Sequence, residues 1–144
     1  MSEQDNVKVV KQAYEAFKRG DIQGVLNTMS EDVDWFSPGP SDVVPTAGRR
    51  HGREQVAKFF STLESTEEIQ QFEPQDFIAQ GDKVVVTGRY RARIKPTGKT
   101  MESDWVHIHG FRGGKIVTFR EFLDTAAAVE AYGRSVPTAG KAKS

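Results

Sequence analysis

The stretch Trp105-Val-His-Ile-His-Gly-Phe-Arg-Gly-Gly-Lys-Ile-Val-Thr-Phe-Arg-Glu-Phe-Leu-Asp124 constrains this chain more than any other. Two alternating runs separated by Gly113-Gly114 predict a β-hairpin, and alternation assigns each side chain to a face. Trp105, His107, His109 and Phe111 share one face of the first strand, and Val117, Phe119, Glu121 and Leu123 share one face of the second. The turn decides whether those faces coincide. A type I turn with Gly114 left-handed, a G1 bulge, pairs Phe111 with Lys115, Trp105 with Glu121 and His107 with Phe119. A tight two-residue Gly113-Gly114 turn instead pairs Arg112 with Lys115 and turns Glu121 away. The bulged register is the expectation, because it gathers the apolar residues on one face.

The preceding hairpin is registered by charge. Arg89, Arg91 and Arg93 alternate on one strand, and Glu102 and Asp104 on the next. Joining them through Pro96-Thr-Gly-Lys99 sets Arg93 opposite Glu102 and Arg91 opposite Asp104, each pair favourable by roughly 0.2–1 kcal/mol. The same register puts Tyr90 opposite Trp105 and Gly88 opposite His107. Gly88 is then expected to leave open space beside His107, which is how a pocket forms.

Upstream, Val7, Val10, Tyr14 and Phe17 recur at helical spacing up to Gly20, and Asp21 caps a short helix carrying Ile22, Val25, Leu26 and Met29 inward. Residues 32–37 read as a strand with Val33, Trp35 and Ser37 on one face. The Pro/Gly-rich loop Ser37–Gly48 suits a lid or pocket rim. A third helix follows Gly52 with Val56, Phe59, Phe60 and Leu63 buried, strands begin near Ile69, and Thr125–Tyr132 reads as a last short helix. One domain over residues 1–134 and a flexible tail over 135–144 are expected.

With 144 residues, 37% of them hydrophobic, the chain suits one globular core. Twenty basic residues balance twenty acidic ones, so no overall field favours nucleic acid or an anionic membrane. Absence of cysteine excludes disulfides and thiol chemistry. No signal-peptide pattern or membrane-length apolar run is present, and a cytoplasmic location is the default expectation.

His107 with Glu121 is the sharp pair: an imidazole moves protons near neutral pH, and a carboxylate orients it. The plain alternative is a buried polar pair that satisfies itself. His107 and His109 together invite a metal, but no third ligand falls at a recognisable spacing, so neither metal nor cofactor is expected. His51 lies in the basic run Arg49–Arg53 and reads as part of a solvated loop. Trp35 and Trp105 either line a cavity or fill the core. Tyr14 is most simply a core residue. The expected pocket comprises Trp35, Tyr90, Trp105, His107, Phe119 and Glu121, with Ser37 near its mouth.

Val10-Lys-Gln-Ala-Tyr-Glu-Ala-Phe-Lys-Arg-Gly-Asp21, Ser30-Glu-Asp-Val-Asp-Trp35, Gly52-Arg-Glu-Gln-Val-Ala57 and Gly114–Asp124 resemble the nuclear-transport-factor-2-like superfamily, and within it the SnoaL-like polyketide cyclases. The resemblance spans roughly residues 5–132, about one domain's length. It implies an α+β cone: three N-terminal helices packed in a strongly curved, mostly antiparallel sheet. In the SnoaL-type cyclases an inward histidine and aspartate on the last hairpin serve acid–base roles; His107 and Glu121 match them, with glutamate for aspartate. The ketosteroid isomerase pattern fails, since its carboxylates fall at Ser37 and His107 and its tyrosine near Ala13. The limonene epoxide hydrolase pattern retains only Glu121, its other positions falling at Gly88 and Tyr90.

The function implied is a cofactor-independent acid–base enzyme on a small hydrophobic carbonyl compound, with His107 as the principal group, Glu121 orienting it, and Trp35, Ser37, Tyr90, Trp105 and Phe119 holding an aromatic or polycyclic substrate. A non-catalytic small-molecule binding domain, a dehydratase or hydrolase on the same fold, and a structural dimerisation module stand as alternatives. A homodimer through the outer sheet face is expected, from the resemblance and from Val106, Ile108 and Phe122 on that face.

Overall fold

The computed structural model describes residues 2–133. The flexible tail expected at 135–144, and residue 134 of the expected domain, lie outside the described residues. Helix α1 (Glu3–Lys18) starts with a capping box in which Ser2 and Asp5 satisfy each other's backbone amides. Asp21 caps α2 (Ile22–Leu26) by accepting from the Gly24 amide. Met29, expected on that helix, instead begins strand β1 (Met29–Ser37). The basic run then pairs as strand β2 (Gly48–His51), antiparallel to β1 and not a free loop, with exposed His51 Nδ1 2.9 Å from Asp34. Helix α3 (Gly52–Thr66) buries Val56, Phe59 and Phe60.

Four long strands, β3 (Glu67–Gln80), β4 (Lys83–Ile94), β5 (Thr100–Arg112) and β6 (Lys115–Leu123), complete one six-stranded sheet in the order β2-β1-β6-β5-β4-β3. Only the β1–β6 pairing is parallel. The sheet is curved and unclosed, and its inner residues join α1, α2 and α3 in one core that includes Val10, Tyr14, Val56, Phe60, Val86, Trp105 and Ile116. Helix α4 (Thr125–Ala131), capped by Asp124, makes a smaller core with Val44 and Ala47 of the long loop and with Ile94 and Met101.

Both expected registers are corrected, yet the inner face survives. On β4–β5, Arg91 pairs with Glu102 and Arg89 with Asp104, a slip of two residues that leaves every side chain on its expected face. Arg93 finds Glu68 of β3 instead, at 3.8 Å. On β5–β6 the tight turn is the real one: Arg112 pairs with Lys115, with Gly113 and Gly114 at φ 59° and 80°. A bulge follows, since Phe111 pairs with Ile116 while Gly110 pairs with Thr118. The extra residue, Val117, displaces the pattern by one, so Ile116 replaces Val117 in the core and Glu121 still turns inward, opposite His107.

Gly88 pairs with Trp105, not His107, and the space is filled. A Cβ there would lie 2.2 Å from Trp105 Cζ2 and 2.5 Å from the Glu73 carbonyl oxygen. The missing side chain therefore seats the indole that forms one wall of the interior. Gly88→Ala is expected to lower unfolding free energy by about 1–3 kcal/mol in urea titrations, because the backbone contact cannot relax as a side chain would.

Candidate functional site

Alternation on β5 buries Trp105, His107 and His109 side by side, and α1 lays Tyr14 across them. Tyr14 Oη is 2.8 Å from His107 Nδ1 and 3.0 Å from His109 Nε2. His107 Nε2 is 3.1 Å from Glu121 Oε2 across the β5–β6 ladder. Four side chains thus form one unbroken chain: Glu121, His107, Tyr14, His109.

Proton counting fixes its direction. With Glu121 ionised and a single proton on the His107 ring, Nε2 donates to the carboxylate and Nδ1 accepts. Tyr14 has one proton, which goes to His107, so Tyr14 must accept from His109 Nε2. His109 Nδ1 is then a bare acceptor, and it has no partner among the described residues. The opposite tautomer of His109 would bury an N–H without an acceptor, the rarer and costlier arrangement. Burial, then the neighbouring His107, hold His109 well below the usual imidazole range. Burial, then the Glu121 charge, push Tyr14 well above the usual phenol range, so both stay neutral links.

The chain forms part of the wall of a cleft of about 120 Å3 bounded by the helices, the inner sheet face and the long loop. That is the scale of an apolar cavity that accepts benzene. Trp35, Ser37, Tyr90, Trp105, His107, Phe119 and Glu121 all line it. Trp35 stacks on Phe119 at 3.9 Å and donates from Nε1 to Ser37 Oγ at 3.0 Å. Trp105 stacks on His107 at 4.0 Å and on Phe72 at 5.0 Å. The Glu121 side chain keeps 20% of its surface exposed against 7% for His107. Since both His107 nitrogens are engaged, Glu121 is the member of the pair that presents itself to the cavity.

Two features of this wall went unread in the sequence: the role of the Tyr14 hydroxyl and Glu67. Tyr14 sits in the core as expected, but its hydroxyl is the hub of the chain. Glu67 opens β3 in alternation with Ile69, a pattern that signals its inward face. Its Oε2 accepts a short hydrogen bond from the Tyr132 hydroxyl. Burial, opposed by that bond and reinforced by the Glu121 charge, raises its carboxyl to about 7. Among the described residues no group of three or more His, Cys, Asp or Glu side chains converges as metal ligands.

Glu67 and His109 have opposite effects on stability against pH. A carboxyl raised in the folded state contributes stability that is full below its unfolded value and lost as pH rises to about 7. His109, depressed when folded, removes stability as pH falls below its unfolded value. Glu67→Gln should therefore gain on the wild type by on the order of 3 kcal/mol between pH 4.5 and 7, with no further gain above. Denaturant titrations at several pH values check this; a constant difference contradicts it.

The fold has counterparts among known proteins. The profile of the SnoaL-like domain matches residues 10–119. An NTF2-like protein of Burkholderia xenovorans is 38% identical, the match covering 92% of this chain and 99% of that one with a TM-score of 0.84. TerC, co-crystallised with polyporic acid, is 28% identical over 90% of this chain and 99% of its own, with a TM-score of 0.80. Uncharacterised proteins of Mycobacterium tuberculosis and Mycobacterium bovis are 26% identical over 92% of this chain and 98% of theirs. Agreement of profile, topology and near-complete coverage in both directions leads to one conclusion: this chain belongs to the SnoaL-like domain family of the NTF2-like superfamily.

Proposed function

We propose that the protein is a cofactor-independent acid–base catalyst, of cyclase or isomerase type, acting on a small hydrophobic carbonyl compound. The observation that carries this reading is the directed chain from Glu121 through His107 and Tyr14 to His109 in the wall of an apolar cavity. Glu121 is the base that meets the substrate, and His107 positions it through Nε2 and steadies the charge it holds. The aromatic walls of Trp35, Tyr90, Trp105 and Phe119 hold the ring, with Ser37 fixed beside Trp35. At about 120 Å3 the resting cavity favours one ring over several. The co-crystal of TerC with polyporic acid supports a small organic ligand for this fold.

The chemistry is enolisation: Glu121 removes a proton from carbon beside a carbonyl, between largely apolar walls. In deuterated water the protein should speed exchange of the α-hydrogens of cyclohexanone, followed by proton NMR. Glu121→Gln should lower that rate by about 10²–10⁴-fold. His107→Gln should lower it less and move its pH profile, as expected of a positioning group. Exchange no faster than in buffer, or unchanged in Glu121→Gln, contradicts the reading.

A second reading is a non-catalytic small-molecule binding domain. Its support is that both nitrogens of His107 are already bonded within the protein. Ligand binding without any exchange, unaffected by Glu121→Gln, would favour it.

Assembly as a homodimer through the outer sheet face is part of the proposal. Phe122 is 39% exposed there, beside Phe36, with the Arg120 guanidinium 5.3 Å from its ring. Val106 pairs with Phe122 on the same face, and Ile108 follows along β5. Sedimentation at micromolar concentration should give a dimer for the wild type and a monomer for Phe122→Asp; a monomeric wild type contradicts this.

A further inference from the structure

Five buried side-chain polar atoms among the described residues lack a hydrogen-bond partner: Asn6 Oδ1, Ser30 Oγ, Glu67 Oε1, Trp105 Nε1 and His109 Nδ1. The last three belong to residues that line the cavity. Unpaired buried polar groups are costly and sparse in folded proteins. Trp105 Nε1 and a protonated Glu67 Oε1 each lack an acceptor, which a carbonyl-bearing occupant would supply and a pure hydrocarbon would not; His109 Nδ1 lacks a donor.

Glu67 is the most telling of them. It is 7% exposed, and Tyr132, itself 3.2 Å from Thr66 Oγ1, holds one carboxyl oxygen and leaves the other free. The ionisable groups acting on Glu67 are Tyr132 of the chain after α4 and Glu121 of β6. On β4, whose Ile94 pairs with Glu67, Arg93 turns to Glu68, and Lys95 reaches the Glu64 carbonyl oxygen. With Oε2 accepting from Tyr132, the proton of the neutral carboxyl resides on Oε1.

We propose that Glu67 is the second acid–base group of this cavity, donating its Oε1 proton to the carbonyl oxygen of a small ring ketone or aldehyde whose α-carbon faces Glu121. This rests on the enolisation reading and names the substrate's orientation within it. The step balances. The α C–H bond breaks and its proton passes to Glu121, while its electron pair becomes the C=C bond. The carbonyl π pair takes the Glu67 proton, and the Glu67 carboxylate is left held by Tyr132. Where the ring carries a β,γ double bond, the product of this step is a dienol; its reprotonation at the γ-carbon by Glu121, with return of the hydroxyl proton to Glu67, moves the double bond into conjugation and restores both groups. Because the carboxyl titrates at about 7, the donor is present below neutral pH and lost above it.

Binding of benzaldehyde against toluene tests this without turnover, since benzaldehyde has no α-hydrogen and differs from toluene chiefly by its carbonyl. Titrations monitored by tryptophan fluorescence should show the wild type preferring benzaldehyde by about fivefold to tenfold at pH 5.5. The preference should fade as pH rises past 7. Glu67→Met should bind toluene as the wild type does and lose the preference. Glu67→Gln, whose amide N–H can donate, should keep the preference and lose its pH dependence. Equal affinities in the wild type, or a preference intact in Glu67→Met, overturn the proposal and leave water as the partner of Oε1. Binding of neither probe overturns the cavity reading and this proposal with it. The predicted preference without α-hydrogen exchange of cyclohexanone would sink the enolisation reading alone, keeping Glu67 as a carbonyl-binding group.

Discussion

One hydroxyl proton, that of Tyr14, organises the interior of this protein. Two histidines adjacent on the inner face of β5 are both buried, and each needs a partner that α1 supplies with a single side chain. Because one proton cannot serve two acceptors, the pair of rings is forced into unequal roles. Glu121 at the far end breaks the tie, and the whole chain then runs one way. The same ring packs within about 6 Å of Phe72, Phe77 and Trp105, so the hub that orders the protons also docks α1 on the sheet.

Around this hub the fold sets two carboxyls among mostly aromatic walls, each tied to one hydrogen-bonding partner: Glu121 to His107 and Glu67 to Tyr132. Charge placed in such surroundings is expensive, and burial, with a smaller push from the Glu121 charge, lets Glu67 hold its proton up to about 7. Helix α4 and the long loop complete the enclosure through their own small core, and the bonds from Thr97 and Lys99 to the Ala131 and Glu130 carbonyls fasten the helix end. The geometry thus separates holding a ligand, done by apolar walls, from moving its protons, done by a few bonded groups.

Much of this was legible before any coordinates, for physical reasons. The period of two along a strand put Trp105, His107 and Glu121 on one face whatever the register, provided slips came in twos. Ladder pairing was not legible, because Arg89, Arg91 and Arg93 against Glu102 and Asp104 satisfy two registers equally. The tie was broken by Glu68 on β3, a strand whose distance in sequence hides its nearness in space. The last hairpin misled differently: a tight Gly113-Gly114 turn and a bulge at Val117 each shift the pattern by one, and together they cancel. Gly88 was a concession to the Trp105 indole, which composition cannot distinguish from empty space. Tyr14 lay on the inward helix face that periodicity predicted, while Glu67, two residues before Ile69, went unread; the polar atoms of both gain meaning only from partners contributed by other elements.

The most direct measurement of this account is the tautomeric state of the two histidines, read from long-range nitrogen–proton correlation spectra of protein labelled with 15N-histidine. In the directed chain, near neutral pH, Nε2 of both His107 and His109 carries a proton and Nδ1 of both is bare. His109 should keep that form as pH is lowered, for as long as the fold persists. A proton on Nδ1 of His107, or rings averaging between tautomers as they do in water, would contradict the directed chain on which the functional reading rests.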